Sequence, residues 1–444
     1  MFPPLFGPSA YILSSQAPLA GFASAILDSR TTGLQVMGDS TGNETTEWVY
    51  LFAQWLTSKY PAYTVNYKLW NDTNQNYDAT TTIQTGTDGA RYANFTGVDS
   101  MRVVATDIPE FVNSADIDIR MKIAPSSWRP AADQVLAARF GSAGFRVFRF
   151  TMRTTGILYL EWTTDGSTLS GFKSSTVALT NTPGATLWVR VVHDWDNGAS
   201  GNDVKFYTSS DGVTWTQLGA TVTTAGTITN YYTGAGSTIW EIGARGVTAE
   251  PYTGKIYNVE ILNGIGGYPI NPVPIDSWQP ATSTETFVGA PEIWIINASV
   301  SGAGLTYLDD STRRPKMLLN YGQTACIISC SHNEGRAFGD VEIAAYSTFV
   351  TNIKSALKRA AIVFATQNPR TSPATNIREH GIRRAEIMAW TQRNSAAYID
   401  TYGAFLKSGV AMSTLVDPSD GIHPISAGKT LWAQTVENSF LASI

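Results

Sequence analysis

Apolar positions along this chain follow two rhythms, and the change between them marks its organisation. Leu34-Gln35-Val36-Met37 is a short apolar run ending in Gly38-Asp39-Ser40-Thr41-Gly42, a strand followed by a turn. Beyond it Trp48, Leu51, Phe52, Trp55 and Leu56 share one helical face. Glu44 and Glu47 suit that helix's first turn, and Pro61 ends it. Tyr63 to Trp70 reads as another strand. From about residue 88 the period drops to two. Ile117, Ile119, Met121 and Ile123 alternate with Asp118, Arg120 and Lys122. Stretches at 145–150, 157–162, 187–193, 204–207 and 254–261 repeat the pattern, with Asp165-Gly166 and Asp211-Gly212 as hairpin turns. About ten strands without a helical period predict a two-sheet sandwich.

After a segment holding Pro269, Pro272, Pro274 and Pro280, read as a linker, strands and helices alternate again. Strands are expected at 293–296, 326–329, 361–365 and 397–400, and helices at about 340–358, 377–393 and 426–441. That alternation predicts a parallel sheet covered on both faces, interrupted by the sandwich. The expected organisation is an arm over residues 1–30, an α/β domain built from 31–87 and 267–444, and an inserted β domain over 88–266. The first 27 residues carry no charge, and Ala23-Ser24-Ala25 resembles a signal cleavage site. Pro3, Pro4, Pro8 and Pro18, with no basic leader segment, favour an extended docking arm instead.

Composition narrows the function. The 444 residues are 43% hydrophobic but only 15% charged, against about 25% in an average soluble protein. This is the profile of a β-rich, neutral-surfaced, extracellular-type protein. A net charge of −5 gives no basic footprint for nucleic acid. No run of 18 apolar residues is present to span a membrane. Cys326 and Cys330, four apart on an expected strand, would lie about 13 Å apart, too far for a disulfide. They read as buried small hydrophobes, and no metal spacing or phosphate loop is found.

Reactive residue types cluster where expected strands end, which is where parallel α/β sheets place their sites. Gly38-Asp39-Ser40-Thr41 follows the first strand, Asn297-Ala298-Ser299-Val300-Ser301-Gly302 the strand at 293, and Ser331-His332-Asn333-Glu334 the strand at 326. Asp420-Gly421-Ile422-His423-Pro424 precedes the last helix. A serine hydroxyl attacks a carbonyl only when an imidazole takes its proton, and the imidazole needs a carboxylate to fix its tautomer. Ser40, His423 and Asp420 supply that set. The Ser40 and Gly302 N–H groups and the Asn333 amide are candidate donors to the developing oxyanion, each worth about 3 kcal/mol of barrier.

In order and in kind, these segments resemble the four blocks of the SGNH, or GDSL-type, serine hydrolases. Gly38-Asp39-Ser40 matches the nucleophile block, Gly302 the glycine of the second and Asn333 the asparagine of the third. Asp420-Gly421-Ile422-His423-Pro424 matches the last nearly letter for letter. Ser331 and Glu334 depart from the usual glycine and aspartate. The resemblance implies a three-layer α/β/α hydrolase with a Ser40–His423–Asp420 triad, an oxyanion hole from Ser40, Gly302 and Asn333, and no cofactor. Residues 88–266 resemble, more loosely, concanavalin-like or laminin-G-like jelly rolls, through Phe95-Thr96-Gly97-Val98-Asp99, residues 206–218 and Gly254-Lys255-Ile256-Tyr257. Such domains bind carbohydrate in some proteins and are structural or oligomerising in others.

The expected function is a serine esterase removing O-acyl, chiefly acetyl, groups from a cell-surface glycan. Hydrolase plus jelly roll resembles bacteriophage tail or receptor-binding proteins, which implies a virion or extracellular setting, a host glycan partner and an oligomer. Two alternatives stay open: a glycan-binding or structural virion protein with a vestigial hydrolase domain, and a lipase or thioesterase. The Gly38–Gly42 run also fits the G-x-S-x-G elbow of α/β-hydrolases, but that fold needs several strands before its elbow. Plainer roles compete elsewhere. Ser40 would cap a helix, Asp39 brace its turn, and His332 sit at the rim. Trp188, Trp195, Tyr231 and Tyr232 would be core or rim residues, and His193 and His380 are given no role. Asp99 and Asp116 are suggestive calcium ligands in the sandwich.

Overall fold

The computed structural model describes residues 17–103, 116–232, 239–282, 284–333, 340–394 and 396–444. Residues 1–16 of the expected arm, and Glu334, lie outside them. Six strands, β1 (Thr32–Gly38), β2 (Thr64–Asn71), β3 (Glu292–Asn297), β4 (Gln323–Ser329), β5 (Ala361–Ala365) and β6 (Ala397–Ile399), form a parallel sheet in the order β6-β5-β4-β1-β3-β2. Two short strands, Asn76–Tyr77 and Thr81–Gln84, add antiparallel to β2. All seven residues of β1 are buried, as a central strand covered on both faces requires. Leu34 and Val36 point into one core with α1 (Ala20–Leu27), α2 (Trp48–Lys59), α5 (Thr401–Lys407) and α6 (Ser426–Leu441). Met37 and Ile328 point into the other with α3 (Asp340–Ala356) and α4 (Ala374–Arg393). The architecture is a three-layer α/β/α domain.

The arm expected over residues 1–30 is corrected from Ala20 onward. α1 is a helix with Phe22, Ala23, Ala25 and Ile26 buried, and the Tyr63 hydroxyl donates to the Ile26 carbonyl at 2.6 Å. Phe22, Ala23 and Ile26 fill the core under β1 and β4. α2 and α6 are joined by a parallel stack of Trp48 on Trp432 at 5.5 Å and by a Lys429–Glu47 ion pair at 2.7 Å. Those helices follow the Ser40 loop and the His423 loop, so the stack fixes one half of the site against the other.

The inserted domain is an antiparallel sandwich, but it does not end at 266. One sheet centres on Ile117–Pro125, Leu187–Asp194, Gly201–Ser209 and Thr253–Asn263, the other on Gln134–Phe140, Arg146–Met152 and Leu158–Trp162. Trp278–Pro280, expected as linker, pairs with Met101–Val103, and Thr286–Val288 pairs with Tyr92–Thr96. Trp278 is fully buried in the sandwich core, and Glu285 accepts the Thr96 N–H at 2.8 Å. The chain thus closes the sandwich with two strands before re-entering the parallel sheet at β3. The prolines masked these strands, since only a short edge pairing tolerates them. Trp195 and Tyr231 are core residues, whereas Trp188 and Tyr232 are half-buried. His193 is buried and bonds to Tyr231 and Asn202. Asp99 accepts from Thr282 and Thr284, and Asp116 from the Trp195 N–H.

Where the sandwich faces the parallel sheet, burial pushes the Glu292 carboxyl up to about 7, helped by the neighbouring Asp276. The folded state then holds this proton more tightly than the unfolded chain, so ionising Glu292 costs stability as pH rises from about 4.5 through 7. Glu292→Gln keeps an acceptor for the Trp294 indole N–H, 2.9 Å away. The variant's melting temperature relative to the parent is therefore expected to rise between pH 5 and pH 8. A difference that stays flat with pH would contradict this.

Candidate active site

The ends of β1, β3, β4 and β5 converge on one rim of the sheet, and the loop before α6 folds over it. Gly38 ends β1 opposite Ser329 of β4, and the chain after β3 stays attached through Val300 N–H to Gly38 carbonyl at 3.1 Å. Space is tight there, because a Cβ at Gly38 would lie 2.6 Å from the Ser299 hydroxyl oxygen. Ser40 does not cap a helix, since α2 begins only at Trp48. The turn is instead braced by Asp39, whose Oδ1 accepts from the Thr41 N–H at 3.0 Å and the Thr41 hydroxyl at 2.8 Å. Asn297 supports it from below, donating to the Gly42 carbonyl at 2.6 Å and bonding the Tyr67 hydroxyl at 2.7 Å.

The three residues expected to act together do meet. The His423 Nε2 lies 2.7 Å from the Ser40 Oγ, and its Nδ1 lies 2.6 Å from the Asp420 Oδ2. A carboxylate only accepts, so Nδ1 carries the proton and Nε2 is free to accept from serine. The second carboxylate oxygen accepts the backbone N–H groups of Ile422 at 2.7 Å and His423 at 3.0 Å. Burial alone would raise the Asp420 carboxyl, but the bonds from His423 and Ile422 outweigh it and hold it below its usual range. Gly421 takes φ +67° in this loop, and a Cβ there would lie 2.7 Å from the Ser372 backbone nitrogen. Only glycine fits that turn without strain.

Among the described residues, the Ser40 and Gly302 N–H groups donate to no protein partner. Asn333 sits in a one-turn 3-10 helix after β4, and its amide nitrogen lies 3.2 Å from both Asp39 Oδ2 and the Ala303 carbonyl. Both contacts are long, so the amide is oriented but loosely held.

Sequence reading missed the residue that ties these loops together. Gln367, just beyond β5 and fully buried, donates to Asp39 Oδ2 at 2.7 Å and to the Thr41 hydroxyl at 3.2 Å. Its carbonyl oxygen accepts the Ser331 hydroxyl at 3.0 Å and the His332 N–H. Its neighbour Asn368 donates to the Ile422 carbonyl at 2.8 Å. Polar Thr366-Gln367-Asn368 directly after an apolar strand is the same signal that marked the other segments. The rim position expected for His332 is corrected. It is buried, donating from Nε2 to the Asn368 carbonyl at 2.9 Å, with the His380 ring 4.4 Å behind it. Burial keeps both imidazoles neutral, well below the ordinary histidine range for His332 and at about 3 for His380. Burial likewise raises the Asp39 carboxyl, against the pull of Gln367 and Thr41.

The chain matches no protein-family model and no curated protein sequence. Among solved structures, a peptidoglycan O-acetylesterase is similar over 96% of this chain and 96% of its own, at 11% identity and a TM-score of 0.41. A SAP-like pentraxin from Limulus polyphemus covers 45% of this chain and 95% of its own, at 13% identity and a TM-score of 0.32. An acetylxylan esterase from Geobacillus stearothermophilus covers 34% of this chain and 73% of its own, at 16% identity and a TM-score of 0.27. Likeness at this level carries no functional argument, so function rests on the geometry of the site.

Proposed function

We propose that this chain is a serine esterase that removes short acyl groups from a glycan. The observation that carries the reading is the continuous Ser40–His423–Asp420 relay at 2.7 and 2.6 Å. His423 Nε2 takes the hydroxyl proton as Ser40 Oγ bonds to the ester carbonyl carbon. The carbonyl oxygen becomes an oxyanion facing the Ser40 and Gly302 N–H groups and the Asn333 amide. Collapse breaks the carbon–alkoxy bond, and the alcohol leaves with the proton from His423. Water, deprotonated by the same imidazole, then attacks the acyl-enzyme, releasing the acid and restoring Ser40.

Two features support a short acyl group on a large polar substrate. The His423 and Asp420 side chains are 43% and 37% exposed, so the relay stands on an open rim and not at the end of a tunnel. Among the described residues, none of the large apolar side chains left exposed lies in the five loops that form this rim. Among the described residues a long acyl chain finds no apolar bed there, which disfavours a lipase. The setting expected from the domain pattern, a phage tail or other extracellular assembly, belongs to the proposal on that resemblance alone.

A fluorophosphonate probe is expected to modify one residue, Ser40, with the label absent in Ser40→Ala. p-Nitrophenyl acetate should be turned over faster than the octanoate. Absence of label at Ser40 would leave a binding protein with a vestigial hydrolase domain as the better reading.

A further inference from the structure

At the edge of the parallel sheet, away from the triad, the sandwich stands against β2 and the first half of β3 and leaves a cleft of about 460 Å³. That is within the range of small-ligand sites. Ser40 follows the carboxyl end of β1, whereas Thr64 and Glu292 in the cleft begin their strands. One wall is built from hydroxyl and amide groups, among them Asn66, Thr80 and Thr82. The other is the outer face of a sandwich sheet. There Trp188 and Asn258 both pair with Lys122 across neighbouring strands, and Tyr257 lies beside them.

The aromatic wall is held in shape. A Cβ on Gly212 would lie 2.6 Å from the Trp188 ring, so the Asp211-Gly212 turn packs directly on it, and Trp215 meets it edge-on at 6.3 Å. The Tyr257 ring lies 5.3 Å from Tyr92, with the Lys122 ammonium 5.5 Å over it. The strand shifts register between Ile256 and Asn258, as at a bulge. The Asn258 side-chain oxygen is buried and accepts no bond among the described residues. With Arg91 paired to Asp276 at 3.2 Å and the Glu292 carboxyl pushed up to about 7, Lys68 and Lys122 stand against Asp211 and Glu260. Burial pushes Lys68 down and Glu260 up, as expected between closely facing walls.

We propose that this cleft binds a neutral saccharide, as a site separate from the catalytic centre. A pyranose has a C–H face and a girdle of hydroxyls. Trp188 and Tyr257 offer ring surface to the first, while Thr80 and the Thr82 hydroxyl, which itself donates to Asn66 Oδ1 at 2.8 Å, offer hydrogen bonds to the second. The balance of charge favours a neutral sugar over an acidic one. The inference rests on the glycan esterase reading and deepens it, because a polymer gripped here brings its acylated units to the rim where Ser40 works.

The test uses the full chain carrying Ser40→Ala, so that acyl groups survive, on an array of neutral and acidic oligosaccharides. At least one neutral glycan is expected to bind, with a tenfold or greater loss in Trp188→Ala and in Tyr257→Ala. Thr80→Trp enters from the exposed wall without touching a core and should abolish binding too. With Ser40 restored, all three variants should hydrolyse p-nitrophenyl acetate within twofold of the parent. Failure to bind any neutral glycan, retention of acidic glycans alone, or binding that survives all three substitutions would overturn the site. Failure of the esterase reading shows separately, as loss of fluorophosphonate labelling and acetate turnover in the parent.

Discussion

His423→Ala is expected to lower kcat for p-nitrophenyl acetate by a factor of about 10⁴ to 10⁶, with much less change in KM. Without the imidazole, no second histidine can serve the Ser40 hydroxyl as base, because His332 is buried and bonded to the Asn368 carbonyl and His380 is buried behind it. Binding and the oxyanion donors remain, so some rate above background survives. Asp420→Asn should cost less, roughly 10² to 10⁴, because an amide can no longer fix the Nδ1–H tautomer. The lower end is favoured, since Asp420 is 37% exposed and water screens its charge on the imidazolium. Ser40→Ala and Ser40→Ala/His423→Ala should fall to the same floor, because the residues act as a unit. A His423→Ala enzyme retaining a tenth of the parent rate would end the relay interpretation.

Gln367→Leu is expected to damage stability and turnover together. The substitution preserves approximate volume but removes the 2.7 Å bond to the fully buried Asp39 carboxylate and strands the Ser331 hydroxyl and the His332 N–H. A hydrogen bond to a charged group contributes about 1.5–3 kcal/mol, and leaving buried partners unmade adds to that. A loss of about 3 kcal/mol or more in urea unfolding follows. The lost bond also raises the Asp39 carboxyl further, so the defect should deepen as pH rises and ionisation is forced on the buried group. Because Gln367 holds the Ser40 turn to the Asn333 turn, kcat should drop while KM for a small ester changes little. A variant as stable and active as the parent would show that the loops need no such tie.

The meeting of Ser40, His423 and Asp420 was legible because each sits in a compact local signal. Gly38-Asp39-Ser40 ends an apolar run, and Asp420 and His423 are three apart in a loop before a helix. α6 was also legible to the residue, from the spacing of Leu431, Trp432, Val436 and Phe440. α1 was not, because the prolines and missing basic residues of this uncharged stretch favour an extended arm, with Ala23-Ser24-Ala25 suggesting a leader as the alternative. The closing strands of the sandwich were hidden by prolines and by shortness, three residues each. Gln367 was overlooked because a lone glutamine has no reactive chemistry, and its importance lies wholly in what surrounds it.

The chain's sequence by itself determined the alternation of strands and helices, the interrupting run of period-two segments, and the residue types able to make a serine nucleophile, its base and its orienting acid. Those properties are local, set by side-chain period and by short-range turn chemistry. Only the tertiary structure decided that Ser40 and His423, 383 positions apart, lie within one hydrogen bond. It also decided that Gln367 joins their supporting loops and that the sandwich leaves a cleft against β2. Contacts of that kind depend on strand order and on how two domains pack. Neither is written in any local window, because each follows from burying apolar faces contributed by distant parts of the chain.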